Sequence, residues 1–406
     1  MKIPLHKPLW GRLAEQAVVR AMRTGAGTAD GPESSLLRTA LRNVTRASYA
    51  IPVTSCTHAM EAAVASLGAH AGDEVIVPSF TLASTATAVM IRGATPVFAD
   101  IDPVNFSLDP SSVERMITKK TVGIMTVHYA GFAGRSFDVL RSLAKKHKLW
   151  LIEDAAHCIG AEYKGKALGT YGDVGALSFH GTKNVAAGEG GAILTDSPRL
   201  SEKMEIFRSI GTDRMAFLEG KVSAYRWVGE GSSFMLSDLL AALITVQLNQ
   251  IERINRDRRH IAETYSQAFL QFQGKVLVPT IPKGMTTSNW HIYALKFETK
   301  KQRDIFLGNM HAKDIGAASH YMPLHVSPMG KKLHGGKQPL PVTEHVADTI
   351  VRMPIYAGMT EKELNYIVTI AQKALKAKYR YKAMNHGQKK KALSSRILFN
   401  TPHPFH

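Results

Sequence analysis

The sequence predicts an α/β protein: a mainly parallel sheet of seven strands with helices on both faces, followed by a smaller α+β unit. Two observations carry this. From residue 49 to residue 210, short apolar runs rich in Val and Ile alternate with segments of helical period, the pattern of repeated strand–helix–strand units. Several of those runs, such as Leu149–Ile152, are continuously apolar, as strands buried on both faces are.

Residues 1–35 mix proline, glycine and charge, and Gly25, Gly27 and Gly31 rule out one long helix. Leu36–Ala47 has amphipathic helical spacing and Tyr49–Val53 reads as a strand. Thr54-Ser55-Cys56-Thr57 precedes a helical pattern, His58–Leu67, stopped by Gly68. Gly72–Phe80 is turn and strand, Thr81–Ile91 helix, Ala94–Asp100 strand, Thr121–Tyr129 strand and Phe137–His147 helix. Leu149–Ile152, Gly175–Phe179 and Ala192–Thr195 complete the strands, with a glycine-rich turn at Gly188–Gly191. Helix Pro198–Ile210 follows, then a polar, irregular stretch, Gly211–Gly231. Ser237–Arg259 reads as one long helix that carries the chain into the second unit. That unit holds a helix to Gln271, strands near Val276 and at Ile292–Phe297, and helices Lys301–Met310 and Glu361–Lys378. The expected division is 1–35 as an N-terminal segment, 36–250 as the larger domain, 251–379 as the smaller, and 380–406 as a basic tail without a core, expected to be disordered.

At 45% hydrophobic and 21% charged residues, the chain has an ordinary globular composition. No apolar run approaches the ~20 residues of a membrane-spanning helix. MKIPLHKPLWGRLAEQ has no signal-peptide core, so no membrane insertion and a cytoplasmic location are expected. Cys56 and Cys158 are the only cysteines and show no metal or redox spacing, so buried free thiols and no metal are expected. The net charge is +18, and 380–406 holds six basic residues and no acid. A basic surface can draw nucleic acid, lipid or a nucleotide diphosphate. No nucleic-acid-binding motif is present, which leaves solvated charge and an anionic substrate as the expected reading, with a non-catalytic regulator or nucleic-acid binder as a distant rival.

The chemistry concentrates where strands end. Asp154, His157, Ser178 and Lys183 all fall just at or beyond the carboxyl ends of predicted strands, where open α/β sheets place their ligands. A lysine and a carboxylate so placed suit pyridoxal 5′-phosphate, which needs an amine for its Schiff base and an acid for its ring nitrogen. Thr54–Thr57 can cap a helix or offer its free amides to a phosphate, and local sequence does not choose. His128, Tyr129, His320, Tyr321 and His325 are candidate substrate contacts; a His/Tyr pair at a strand end serves equally well as core edge.

EDAAHCIGAEYKGKALG and SFHGTKNVAAGEGGA, with SCTHAME, VHYAGFAG, GSSFMLSDLLAA and HYMPLH, resemble the DegT/DnrJ/EryC1/StrS sugar aminotransferases, which are fold-type-I pyridoxal-phosphate enzymes. The likeness runs from about residue 3 to residue 378. It implies Lys183 as the Schiff-base lysine, Asp154 at the pyridine nitrogen and His157 at the ring hydroxyl. It further implies Cys56, Thr57 and Ser178 at the cofactor phosphate, and Ser233 reaching the phosphate of a partner subunit in a homodimer. Relatives carry an aromatic residue over the ring where this chain has Leu82, with Phe80 two residues earlier. The implied reaction moves an amino group from L-glutamate to a nucleotide-linked 4-keto-6-deoxyhexose, dTDP-4-keto-6-deoxyglucose above all, giving dTDP-4-amino-4,6-dideoxygalactose for bacterial surface polysaccharide. Amination at C3, or of a UDP- or GDP-sugar, is the alternative; a dehydratase of the same fold has histidine in place of the lysine.

Overall fold

The structure is a computed structural model that describes residues 1–376, apart from 26 and 335–338. The tail 380–406 lies outside the described residues. In chain order, helices α1 (Arg12–Arg23) and α2 (Pro32–Thr45) lead to strand β1 (Tyr49–Val53), α3 (Cys56–Ser66), β2 (Glu74–Pro78), α4 (Ala83–Met90), β3 (Thr95–Ala99), α5 (Pro110–Met116), β4 (Thr121–Val127), α6 (Phe137–Lys146) and β5 (Trp150–Asp154). Two-residue strands β6 (Glu162–Tyr163) and β7 (Lys166–Ala167) precede β8 (Val174–Ser178) and β9 (Gly191–Thr195).

Seven of these strands form one sheet in the order β1-β9-β8-β5-β4-β2-β3. The pairs β8–β5, β5–β4, β4–β2 and β2–β3 are parallel, and β9 alone runs against its neighbours on both sides. This is the mainly parallel seven-stranded sheet that the sequence predicts. Its two apolar faces are covered separately. Leu37, Leu41, Leu140 and Ile244 pack on one face, while Met60, Val64, Val89 and Met204 pack on the other. All five residues of both β8 and β9 are buried, which is why neither shows polar alternation. Gly191 opens β9 against the start of α3, where a Cβ would overlap the Ser55 carbonyl; this close approach sets the helix terminus beside the strand ends.

Beyond the sheet, α7 (Pro198–Arg208) and α8 (Arg214–Leu218) lead to α9 (Asp238–Leu248) and α10 (Ile251–Phe269). Two expectations need correction here. Gly211–Gly231 is not wholly irregular, since α8 lies in it. It also exposes Phe217, Tyr225 and Trp227, the last 82% exposed, because these rings find no apolar layer within the chain. The long helix expected over 237–259 is two helices, broken at Asn249–Gln250, where Gln250 leaves helical geometry. The second sheet, β10-β12-β13 (Val276–Leu277, Tyr293–Phe297, Ile350–Met353), has its own core of Tyr265, Phe269, Tyr293, Phe306 and Ile367. A further short strand, β11 (Met285–Thr287), pairs with β6, and α11 (Lys300–His311), α12 (Pro328–His334), α13 (Pro341–Thr349) and α14 (Glu361–Lys376) complete the described chain.

Two fastenings join the sheets. Asp100, just past β3, accepts hydrogen bonds from the Thr343 amide and hydroxyl, both 2.8 Å, and from the Val342 amide at 3.1 Å. His325 bridges Ser79 Oγ (2.7 Å) and Glu344 Oε1 (3.1 Å).

A buried ion cluster ties the N-terminal loop to α7. Arg208, 1% exposed, contacts Asp30 and Glu205 at 2.6 Å each, and Arg38 contacts the same two acids. Burial pushes both carboxyls up, but the two guanidiniums overcome it and hold Asp30 and Glu205 below the usual range. Arg208→Met should therefore cost about 3 kcal/mol at pH 7, the scale of a broken buried pair. Because the folded pKa values are depressed, the wild-type cluster's contribution is present above the unfolded value near ~4 and is lost as pH falls below it. Urea unfolding at pH 7 and pH 3 should show the gap between variant and wild type shrinking in acid; an equal gap at both would refute the assignment.

Candidate functional site

A cleft of about 290 Å³ opens where the carboxyl ends of β5 and β8 meet the start of α3 and one residue of β13. Asp154 is the last residue of β5 and is buried. Its Oδ2 accepts from Thr85 Oγ1 at 3.0 Å, and its Oδ1 from the Ala156 amide at 3.2 Å and, at 4.0 Å, the Cys56 thiol. Burial raises the carboxyl's pKa against the opposing pull of these hydrogen bonds and of Lys183. Among the described residues no cation pairs with it directly, so this is a carboxylate whose site is completed by a positive group.

Lys183 follows β8 in a loop closed by backbone bonds from Phe179 to Gly190 and from Gly181 to Gly188, each 2.8 Å. Its ammonium has no hydrogen-bond partner among the described residues. Burial brings its pKa down to about 8 despite the nearby Cys56 and Asp154. About a tenth of the amine is therefore unprotonated at pH 7, far more than for an exposed lysine, as a nucleophile and base require.

His157 is buried, and its Nδ1 accepts from the Ala130 amide at 3.3 Å. Burial, then the charges of Lys183 and Arg352, keeps the imidazole well below its usual pKa. The ring is thus neutral with its proton on Nε2, the tautomer that donates to an oxygen anion. At the opposite end, α3 begins at Cys56. Ser55 caps it by accepting from the His58 amide at 3.1 Å, while the Cys56 and Thr57 amides precede the first intrahelical bond. The capping and anion readings of this segment are thus compatible: one serine caps and two amides stay free for an anion. Ser178 ends β8 on the same wall.

These groups fit pyridoxal phosphate. An amine of lowered pKa, a buried carboxylate awaiting a cation, a neutral imidazole donor and a free helix N-terminus line one cleft of suitable size. Among the described residues no cluster of His, Cys, Asp or Glu is placed to hold a metal ion, and no helix is long and apolar enough to cross a membrane.

Not every candidate reaches the cleft. Leu82 lines it and is 61% exposed; Phe80 is sealed behind Tyr129 and Tyr321 and cannot cover a ring there. Tyr321 lines the cleft. His128 does not: it is fully buried, with Nε2 on Glu153 at 2.7 Å. That carboxylate also collects the amides of Gly169, Tyr171 and Gly172, so the pair ties the turn after β7 to the sheet and is no substrate contact. His325 is likewise a fastening between loops, withdrawn from substrate by its bonds to Ser79 and Glu344. Tyr129 and His320 stand behind the cleft wall, bonded to each other at 2.7 Å. Ser233 is exposed and outside its own chain's cleft. Cys56 and Cys158 are buried free thiols.

Several lining residues escape sequence reasoning, His291 and Arg352 among them. His291 lies 4.3 Å from His157, ring to ring, and its Nδ1 meets Asn184 Oδ1 at 2.9 Å. Asn184 in turn donates to the Asn289 carbonyl at 2.9 Å, which steadies the residue next to Lys183. Arg352 enters from β13. The only sequence signal for either is a histidine or an arginine within a short apolar segment.

An uncharacterised protein of Methanocaldococcus jannaschii is 32% identical over 378 residues, 91% of this chain and 97% of that protein. The fold matches that of S. venezuelae DesV, with TM-score 0.81 and 28% identity over 90% of this chain and 95% of that one. It matches Helicobacter pylori PseC, an aminotransferase of pseudaminic acid biosynthesis, with TM-score 0.85 and 25% identity over 92% and 99%. A profile of the DegT/DnrJ/EryC1/StrS aminotransferases spans residues 11–372. With the pyridoxal-phosphate cleft already described, that span places the chain in the DegT/DnrJ/EryC1/StrS aminotransferase family.

Proposed function

We propose that this pyridoxal-phosphate aminotransferase moves an amino group from L-glutamate to a nucleotide-linked 4-keto-6-deoxyhexose, with dTDP-4-keto-6-deoxyglucose as acceptor and dTDP-4-amino-4,6-dideoxygalactose as product. The observation that carries the reading is the convergence of Lys183, Asp154 and His157 on one cleft opposite a free helix N-terminus. Bound pyridoxal phosphate supplies an aldehyde that condenses with amines and a ring that takes up negative charge. The chain does the rest. Asp154 holds the proton on the ring nitrogen. His157 donates its Nε2 proton to the ring oxygen, and Leu82 covers a face of the ring. The Cys56 and Thr57 amides and the Ser178 hydroxyl bind the phosphate. Lys183 would hold the aldehyde when the cofactor is bound, and its amine, with a pKa brought down to about 8, would serve as general base and acid at the reacting carbon. The test is to incubate purified enzyme with L-glutamate and a panel of dTDP-, UDP- and GDP-linked 3- and 4-keto sugars, and to establish each product by NMR. Turnover confined to 3-keto sugars would overturn the C4 assignment.

The same reading makes the enzyme a homodimer with shared sites. Ser233 is exposed away from its own cleft, and the adjoining segment displays Phe217, Tyr225 and Trp227 to solvent, a patch suited to a second copy. Lys183→Ala and Ser233→Trp should each be nearly inactive alone. In a randomly mixed population, half of the dimers are hybrids with one intact site, so activity should return to about a quarter of wild type under two-fold symmetry. An active monomer in sedimentation, or no recovery after proven subunit exchange, would refute the shared site.

A further inference from the structure

We propose that His291 is a positioning residue for His157: its ring backs the His157 imidazole, and Asn184 locks it there, so that the His157 Nε2 proton stays aimed at the cofactor's ring oxygen. The inference rests on the pyridoxal-phosphate reading of the cleft and adds the group that orients one of its donors. Among the described residues, the His157 ring has one hydrogen bond, from the Ala130 amide to Nδ1 at 3.3 Å. A bond of that length is weak, and a single one does not fix the plane of a ring. What packs on the ring must do so. Tyr129 meets it edge-on at 6.1 Å, whereas His291 lies against it at 4.3 Å with the planes 31° apart.

His291 is itself firmly held. Asn184 spends its amide hydrogens on the Asn289 carbonyl at 2.9 Å and on Asn255 Oδ1 at 3.4 Å. Its Oδ1 is therefore an acceptor, and His291 Nδ1, 2.9 Å away, carries the proton. The His291 carbonyl accepts from Arg258 Nη2 at 2.7 Å. Asn289 takes the His291 amide on its Oδ1 at 3.3 Å and donates to the His157 carbonyl at 2.7 Å. Both histidines thus hang from one fully buried asparagine. These backbone bonds would join the segments with any side chain at 291. The imidazole adds two contacts of its own, one to the neighbour of Lys183 and one to the face of His157, and both act on groups of the site.

The arrangement also decides which histidine donates. Burial, then the charges of His157 and Lys183, keeps His291 well below its usual pKa, as burial and Lys183 do for His157. Two neutral rings pack face to face without repulsion. His291 has given its only ring proton to Asn184, so it presents a lone pair on Nε2, which has no partner among the described residues. An oxygen anion before the pair is refused by that lone pair and taken by the His157 proton.

The test uses the full-length chain with and without pyridoxal phosphate. Without it, ¹⁵N-histidine NMR, with H157F to identify the signals, should show one His157 tautomer in wild type and averaged ring nitrogens in H291A. With it, a donor on the ring oxygen weakens that oxygen's hold on the proton of the lysine-bound cofactor, so losing the donor raises the pH midpoint of the visible absorption band. H157F should raise it by about one unit and H291A by most of that. H291F keeps the face without the lock, and N184A removes the lock alone; each should move the midpoint by less. H291A should lower kcat on the order of 10-fold with little change in the glutamate KM. Placed in H157F, it should shift the midpoint no further, as expected of a residue acting through another. An unmoved midpoint in H291A, or an equal shift in both backgrounds, would overturn the proposal. Should H291A fail to fold by thermal melting, H291F and N184A carry the same decision. A wild-type enzyme that loads pyridoxal phosphate but aminates no keto-sugar would sink the acceptor assignment and leave the role of His291 standing, since neither spectrum needs a sugar.

Discussion

Lys183→Ala should lower turnover by roughly 10⁴-fold or more, the scale of losing a covalent catalyst that is also the proton carrier. The side chain makes no hydrogen bond in the described structure, and burial has already driven its pKa down to about 8. Removing it thus breaks no bonded network, and the melting temperature should change little. Covalent attachment supplies a second readout: borohydride treatment followed by intact-mass measurement should show the cofactor fixed to wild type and absent from the variant. Near-normal turnover, or cofactor still fixed to the chain, would move the amine to another residue.

Asp154→Asn is expected to cost less, on the order of 10²- to 10³-fold in kcat, because an electrostatic partner is lost while the covalent step survives. Asparagine is nearly isosteric. Its carbonyl oxygen can still accept from Thr85 or from the Ala156 amide, bonds that hold the carboxylate at 3.0 and 3.2 Å. What disappears is the negative charge, so cofactor retention should outlast activity. Steady-state rates within a few-fold of wild type, measured with cofactor in excess, would show that Asp154 is not the ring-nitrogen partner.

The site was legible in the sequence where local order and chemistry coincide. Asp154, Ser178 and Lys183 follow apolar strands, and a parallel sheet puts all such ends on one edge. The helix after Thr54–Thr57 was legible for the same reason. His128 and His325 misled because histidine beside tyrosine or proline at a strand or loop end looks the same whether its ring meets substrate or a buried acid. Only the pairing with Glu153, or with Ser79 and Glu344, decides that, and Ser79 is 246 residues from His325. Arg352 was invisible because β13 is four residues long, and its register against β12 is set by the second core rather than by its own pattern. The break between α9 and α10 was missed because both helices keep apolar spacing across Asn249 and Gln250, and it is the passage to a second sheet that bends the chain there.

The Asp100 and His325 fastenings bear on substrate traffic. Each runs from a loop just beyond the first sheet to the start of α13, and together they resist the rigid-body swing by which many two-lobed enzymes swallow large ligands. The cleft of about 290 Å³ then keeps its shape as ligands enter and leave. Access is thereby set by the loops at the mouth of the cleft, which can vary while Lys183, Asp154 and His157 stay in place.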